Sequence, residues 1–189
     1  METGRRKRIT RRATAVIAVA LTVAVLSGCQ TMKPIHTVDR VDLARFMGDW
    51  YVIAGIPTST EKDAYNAVES YHLKKDGSVG VTYKFNQGGL DGPMRVKTYR
   101  GFIRDNKSNA VWDYQIVWPF KAEYRIIHLD ADYSRTVIGR SKRDYVWIMA
   151  RKPFIPNGDY EKILKFLVEQ GYSLDGLRKV PHGSIGEGG

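Results

Sequence analysis

The amino-acid sequence predicts an all-β protein: an eight-stranded antiparallel up-and-down β-barrel with one C-terminal amphipathic α-helix. Three observations predict it. Short runs rich in Val, Ile, Tyr, Phe and Trp recur along the chain, turn-forming residues separate them, and helical spacing appears only after the last run.

The runs cover residues 50–57, 65–74, 79–86, 95–104, 110–118, 123–130, 134–141 and 144–151. Between them lie Lys75-Asp76-Gly77-Ser78, Asn86-Gln87-Gly88-Gly89, Asp105 to Asn109, Asp130-Ala131-Asp132-Tyr133 and Ser141 to Asp144. Turns this tight join antiparallel neighbours. Eight strands joined in order can close into a barrel without free edges, wide enough for one small ligand. In the fifth run Trp112, Tyr114, Ile116 and Trp118 alternate with Asp113 and Gln115, which places the aromatic set inside. In the third, Val81, Tyr83 and Phe85 alternate with Thr82 and Lys84 in the same way. Trp118-Pro119-Phe120 then ends the fifth strand in a mouth loop, because proline removes a ladder donor. From Asp159 to Gln170 the period changes: Tyr160, Ile163, Leu164 and Leu167 form one stripe, with Gly171 as the stop.

The N-terminus is of another kind. Arg5, Arg6, Lys7, Arg8, Arg11 and Arg12 precede an uncharged stretch from Ala13 to Leu26. As a helix those residues would rise about 21 Å, short of the roughly 30 Å hydrocarbon core of a bilayer, so the stretch reads as a signal peptide. It leads into Leu26-Ser27-Gly28-Cys29, which resembles the lipobox of bacterial lipoproteins. Cys29 is the lone cysteine and has no disulfide partner, which makes it the expected lipidation site. The resemblance implies cleavage after residue 28, diacylglyceryl modification and N-acylation, with palmitate among the chains. Two or three acyl chains hold a protein stably on a membrane. Gln30, in place of an aspartate, implies sorting to the outer membrane. The expected organisation is signal peptide 1–28, lipidated tether 29–39, barrel domain 40–180 and flexible tail 181–189. The formal charge of +10 overstates the basic character of the domain, because residues 1–28 carry half of it. With that segment removed, no Lys/Arg run is left to support nucleic-acid binding.

Three motifs, in order, carry a family resemblance. Phe46-Met47-Gly48-Asp49-Trp50-Tyr51 opens the first strand, Leu129-Asp130-Ala131-Asp132-Tyr133 makes the turn between the sixth and seventh, and Asp144 to Pro153 ends the eighth. Together they resemble the lipocalin family, and within it the bacterial lipoprotein lipocalins and apolipoprotein D-like members. The resemblance covers about residues 40–180 and implies structural roles for Gly48, Trp50, Asp130, Tyr133 and Arg151. In such barrels the Arg151 guanidinium lies over the Trp50 indole and closes the floor, a cation–π contact of about 1–2 kcal/mol out of water. The chain lacks the disulfide pairs of many extracellular members. Its stability must come from packing and strand pairing.

Alternation back from Arg151 puts Met149, Trp147 and Tyr145 inside the cup, with Val146 and Ile148 facing outward under the helix. The expected ligand wall is Trp112, Tyr114, Tyr124 and Trp147, extended by Ile116, Tyr145, Tyr83 and Val52. His128 and the tyrosine hydroxyls are candidates for an anionic head group, ahead of Arg100 and Arg125. His36, His72, His128 and His182 have no metal-ligand spacing, and no phosphate loop, nucleophile elbow or pocket thiol is present. The expectation is therefore a binding protein, not an enzyme, with no metal and no cofactor. Its partners are a small hydrophobic molecule, a fatty acid or lysophospholipid, and a membrane reached through the lipid anchor. The alternative is a structural envelope lipoprotein whose barrel is filled by its own side chains.

Overall fold

A computed structural model describes residues 34–183. The expected signal peptide, Cys29 and the last residues of the expected tail lie outside the described residues.

The described chain begins with a short helix, α1 (Leu43–Phe46), capped by the Asp42 carboxylate, which accepts from the Ala44 and Arg45 amides. Eight strands follow: β1 (Gly48–Ile56), β2 (Ala64–Leu73), β3 (Val79–Gln87), β4 (Met94–Ile103), β5 (Val111–Val117), β6 (Phe120–Leu129), β7 (Arg135–Gly139) and β8 (Val146–Ala150). Each run expected from sequence is a strand. Helix α2 (Asn157–Glu169) and a two-residue strand β9 (Arg178–Lys179) complete the order.

Each strand from β2 to β8 pairs antiparallel with the next, and β1 pairs with both β8 and β2, which closes the barrel. Closure by β1 is divided along its length. Gly48 to Tyr51 face Tyr71 to Val68 of β2, whereas Ala54 and Gly55 face Lys179 and Arg178 of β9. The register of β2 shifts between Tyr65 and Val68, with Asn66 at positive φ, and β9 takes up the edge of β1 there.

Two apolar clusters result. The inner one holds Trp50, Val52, Tyr71, Val81, Tyr83, Phe85, Trp112, Tyr114, Tyr124 and Met149, with Trp147 packed against it. The outer one joins Ile53, Ile127, Val137, Val146 and Ile148 to Tyr160, Ile163 and Leu167 of α2. The outward direction of Val146 and Ile148 agrees with the alternation of the last strand. Helix α2 ends where Gly171 adopts φ +87° and the Tyr172 amide reaches back to the Leu167 carbonyl at 3.0 Å, a glycine-dependent stop.

Both expected domain limits need correction. Ile35 is buried in the outer cluster and the Val38 amide bonds the Ile126 carbonyl at 3.0 Å, so residues 35–39 belong to the domain and not to a tether. At the other end the Asn66 amide donates to the Pro181 carbonyl, His182 Nε2 bonds the Val52 carbonyl, and the Gly183 amide donates to the Asn66 side chain. Residues 181–183 are pinned against β1 and β2. Counting polar residues and glycines missed both segments because their anchoring combines a few backbone bonds with single side chains, Ile35 and His182.

Candidate ligand-binding cavity

The floor is built first, by the motif residues. Trp50 is fully buried and its indole donates to the Phe46 carbonyl at 2.8 Å. The Arg151 guanidinium lies 3.8 Å from its ring centroid and donates to the carbonyls of Asp49, Arg45, Phe46 and Met47 at 2.7–3.1 Å. The carbonyls at the end of α1 thus find their donors in one side chain from β8's end. Gly48 is part of the same device: it sits at φ +92°, where a side chain is strained, and a Cβ added there would lie 3.5 Å from the Arg151 guanidinium. The turn after β6 braces α1 from outside. Tyr133 accepts from the Asp42 amide at 2.8 Å and stacks under the Arg45 guanidinium, while Asp130 accepts from Ser134 and Arg135.

Above the floor the inward residues do not fill the barrel. A cavity of about 310 Å³ opens at the end opposite α1. Tyr114, Ile116, Tyr124, Tyr145 and Trp147 line it, as the alternation of β5, β6 and β8 predicts. Tyr83 and Val52 line instead a side recess beside Trp147, of about 30 Å³, room for a water molecule and no more.

Three expected positions differ. Trp112 points inward but lies beneath the cavity, fully buried, its ring 5.2 Å from Tyr124 and 5.6 Å from Phe46. It supports the wall and does not form it. Trp118 is 80% exposed, because the β5–β6 register shifts after Gln115 and the strand ends at the rim. His128 faces outward. A bulge at Ile127 resets the alternation of β6, so that Ile126 is inside and His128, opposite outward-facing Val137, packs on Phe166 of α2. There it hydrogen-bonds Asp130 at 3.0 Å, outside the barrel cavity. Arg100 and Arg125 are likewise committed to protein partners, Asp76 with Ser78 and Glu123.

The cavity has polar members that strand patterning overlooked. At the rim, Arg140 follows β7 on the inward side. It pairs with Asp144 at 3.3 Å and lies over the Tyr145 ring, but its Nε is buried without a partner. Deep inside, Glu69 is opposite Trp50 in the β1–β2 ladder and is the one acid among the buried residues described. Tyr71 donates to its carboxylate, and Tyr124 lies 2.7 Å from the Tyr71 oxygen, so the Tyr124 proton points to Tyr71. Burial pushes the Glu69 carboxyl up to about 7, opposed by the Tyr71 bond and reinforced by the charge of Glu61. The Tyr114 ring stacks on Tyr124 at 4.3 Å, and its hydroxyl is buried with no partner. Alternation across β2 and past β7 carried the signal for both Glu69 and Arg140. Charged residues inside apolar runs are ordinarily assigned to solvent, and the Asn66 bulge hides the phase of β2.

A closed antiparallel barrel with one capped end and an apolar cavity defines a binder of small hydrophobic ligands. Residues 41–182 match the model of the lipocalin-like domain, and the chain belongs to that family. Its members are binding proteins and not enzymes. The chain is 27% identical over 165 residues to the outer membrane lipoprotein Blc of Citrobacter freundii, covering 86% of this chain and 92% of that one. It is 25% identical over 155 residues to temperature-induced lipocalin-1 of Arabidopsis thaliana (79% and 83% covered) and 24% identical over 145 residues to mouse apolipoprotein D (72% and 75%). Among solved structures, insecticyanin of the tobacco hornworm Manduca sexta superposes with a TM-score of 0.60 at 15% identity, over 82% of this chain and 87% of that one.

Proposed function

We propose that this chain is a membrane-anchored lipocalin that holds one acyl amphiphile, a fatty acid or a lysophospholipid, with its tail in the barrel and its anionic head beside Arg140. The observation that carries the reading is the cavity itself. At about 310 Å³ it has room for a single ligand of modest size, its walls are chiefly apolar, and Arg140 lines its rim with a buried Nε that has no partner. A second acyl chain would not fit beside the first, which favours single-chain lipids. The same cavity weighs against a barrel filled by its own side chains.

Anchoring rests on the sequence from Leu26 to Cys29 and on similarity to bacterial outer membrane lipoproteins. Cys29 is the acylated residue in this reading, and Gln30 directs the protein to the outer membrane, on the periplasmic side. Cys29→Ser releases a soluble, folded protein and ends incorporation of labelled palmitate; continued labelling of that variant removes the anchor assignment. For the ligand, small molecules extracted from natively purified protein are identified by mass spectrometry. Palmitic acid and lysophosphatidylethanolamine are then titrated into ligand-stripped protein while indole emission is followed. Failure of every acyl ligand to shift the emission of well-folded protein sinks the binding assignment.

A further inference from the structure

An alkyl tail alone does not explain the inner end of the cavity. Glu69 and Tyr114 are both about nine-tenths buried, at 9% and 8% exposure, and both line the cavity wall. Glu69 is placed one ladder position from the floor, opposite Trp50, so its carboxyl lies where the end of an inserted chain would come to rest. The surrounding hydroxyls are committed in series, Tyr124 to Tyr71 and Tyr71 to one carboxyl oxygen. Tyr71 is thus the one hydrogen-bond partner described for the Glu69 carboxyl, and the Tyr114 hydroxyl is buried with none. Buried polar groups are nearly always satisfied, and a methyl terminus pressed against these two would satisfy neither.

We propose that Glu69 and Tyr114 form a hydrogen-bonding subsite, and that the ligand carries a hydroxyl at its buried end. It is a hydroxylated acyl chain or a comparable apolar alcohol. This rests on the reading of the barrel as a binder of acyl amphiphiles and specifies which of them it selects. A hydroxyl matches both groups at once, since it donates to the carboxyl and accepts from the phenol. An ammonium would offer the Tyr114 proton no acceptor, and a carboxylate there would bring a further buried charge beside Glu69 and the charge of Glu61. Burial favours the neutral form of Glu69, which again suits an uncharged partner. Arg140, paired with Asp144 at the rim, is a separate site for an anionic head, so the two polar ends of the ligand are read by different elements.

The test compares palmitic acid with ω-hydroxypalmitic acid in ligand-stripped full-length protein. Binding is followed by indole emission, and unfolding is measured in parallel. The informative quantity is the ratio of the two dissociation constants, because the cost of dehydrating the free hydroxyl is the same for every variant. Loss of one buried hydrogen bond changes an equilibrium about tenfold. The preference for the hydroxylated chain is therefore expected to fall about tenfold in Tyr114→Phe and at least as far in Glu69→Leu. Tyr114→Phe also retains or gains thermal stability, since it removes a buried hydroxyl that has no partner. Should Glu69→Leu fail to fold, Glu69→Gln serves, with a smaller fall because the amide still bonds a hydroxyl. A ratio equal in the wild type and these variants overturns the subsite while leaving acyl binding intact. Failure of both acids to bind the wild type overturns both.

Discussion

Trp50 illustrates how completely a single side chain is committed in this barrel. Its ring is covered by Arg151, tilted against Phe46 at 5.1 Å, and tied by its indole N–H to the backbone of α1. Trp50→Ala is expected to lower stability by about 3–5 kcal/mol in a denaturant titration. An unchanged melt would remove Trp50 from the floor. Glu69 gives the opposite pattern, because burial disfavours its charge. Its pKa is about 7 in the fold against an ordinary value of 4.5, so the folded state binds the extra proton between those limits. Stability should then be greatest below pH about 4.5 as far as this group is concerned, and fall by about 3 kcal/mol as pH rises through 7. Glu69→Gln should flatten that slope, which chemical denaturation at several pH values will show. Of these two residues Trp50 was legible in the sequence, through Gly-Asp-Trp-Tyr and its distant arginine. Glu69 was not, since a carboxylate within a strand reads as solvent-facing until the phase of its neighbours is known.

At the scale of elements, strand identity was the legible part, and phase was legible only where no bulge intervened. In β8 the alternation runs unbroken from Arg151, and Trp147 and Ile148 indeed face opposite clusters. Trp147→Phe should keep the fold and lose most of the ligand-induced change in emission. Ile148→Ala, under α2, should cost about 2–5 kcal/mol and leave that change in place. If Ile148→Ala alters the binding response as much as Trp147→Phe does, the register of β8 is wrong. In β6 one additional residue turns His128 from the cavity to the helix. A bulge has no compositional mark in this segment: Ile126, Ile127 and His128 would all suit a regular strand. His128→Ala is accordingly expected to leave ligand affinity unchanged. Helix α1 escaped notice for a different reason. Four residues are too few to show a helical period, and α1 is stable because Asp42, Tyr133 and Arg151 hold its ends.

For the molecule as a whole, closure was foreseeable from the number and order of strands, but the manner of closure was not. The β1 strand bonds β2 over its first half and β8 over most of its length, and β9 and residues 180–182 cover the edge that β2 leaves. That arrangement makes the first strand the last to be secured. Tyr51 must wait for Ala150, and the carbonyls at the end of α1 must wait for Arg151, before the floor exists at all. Loop closure over such a span is slow compared with the formation of a hairpin, so synthesis of the first seven strands yields no closed barrel. A chain ending at Tyr145 should accordingly show no cooperative unfolding transition. Under the proposed export through a membrane, a fold that cannot finish until its eighth strand arrives keeps the nascent chain open during transit.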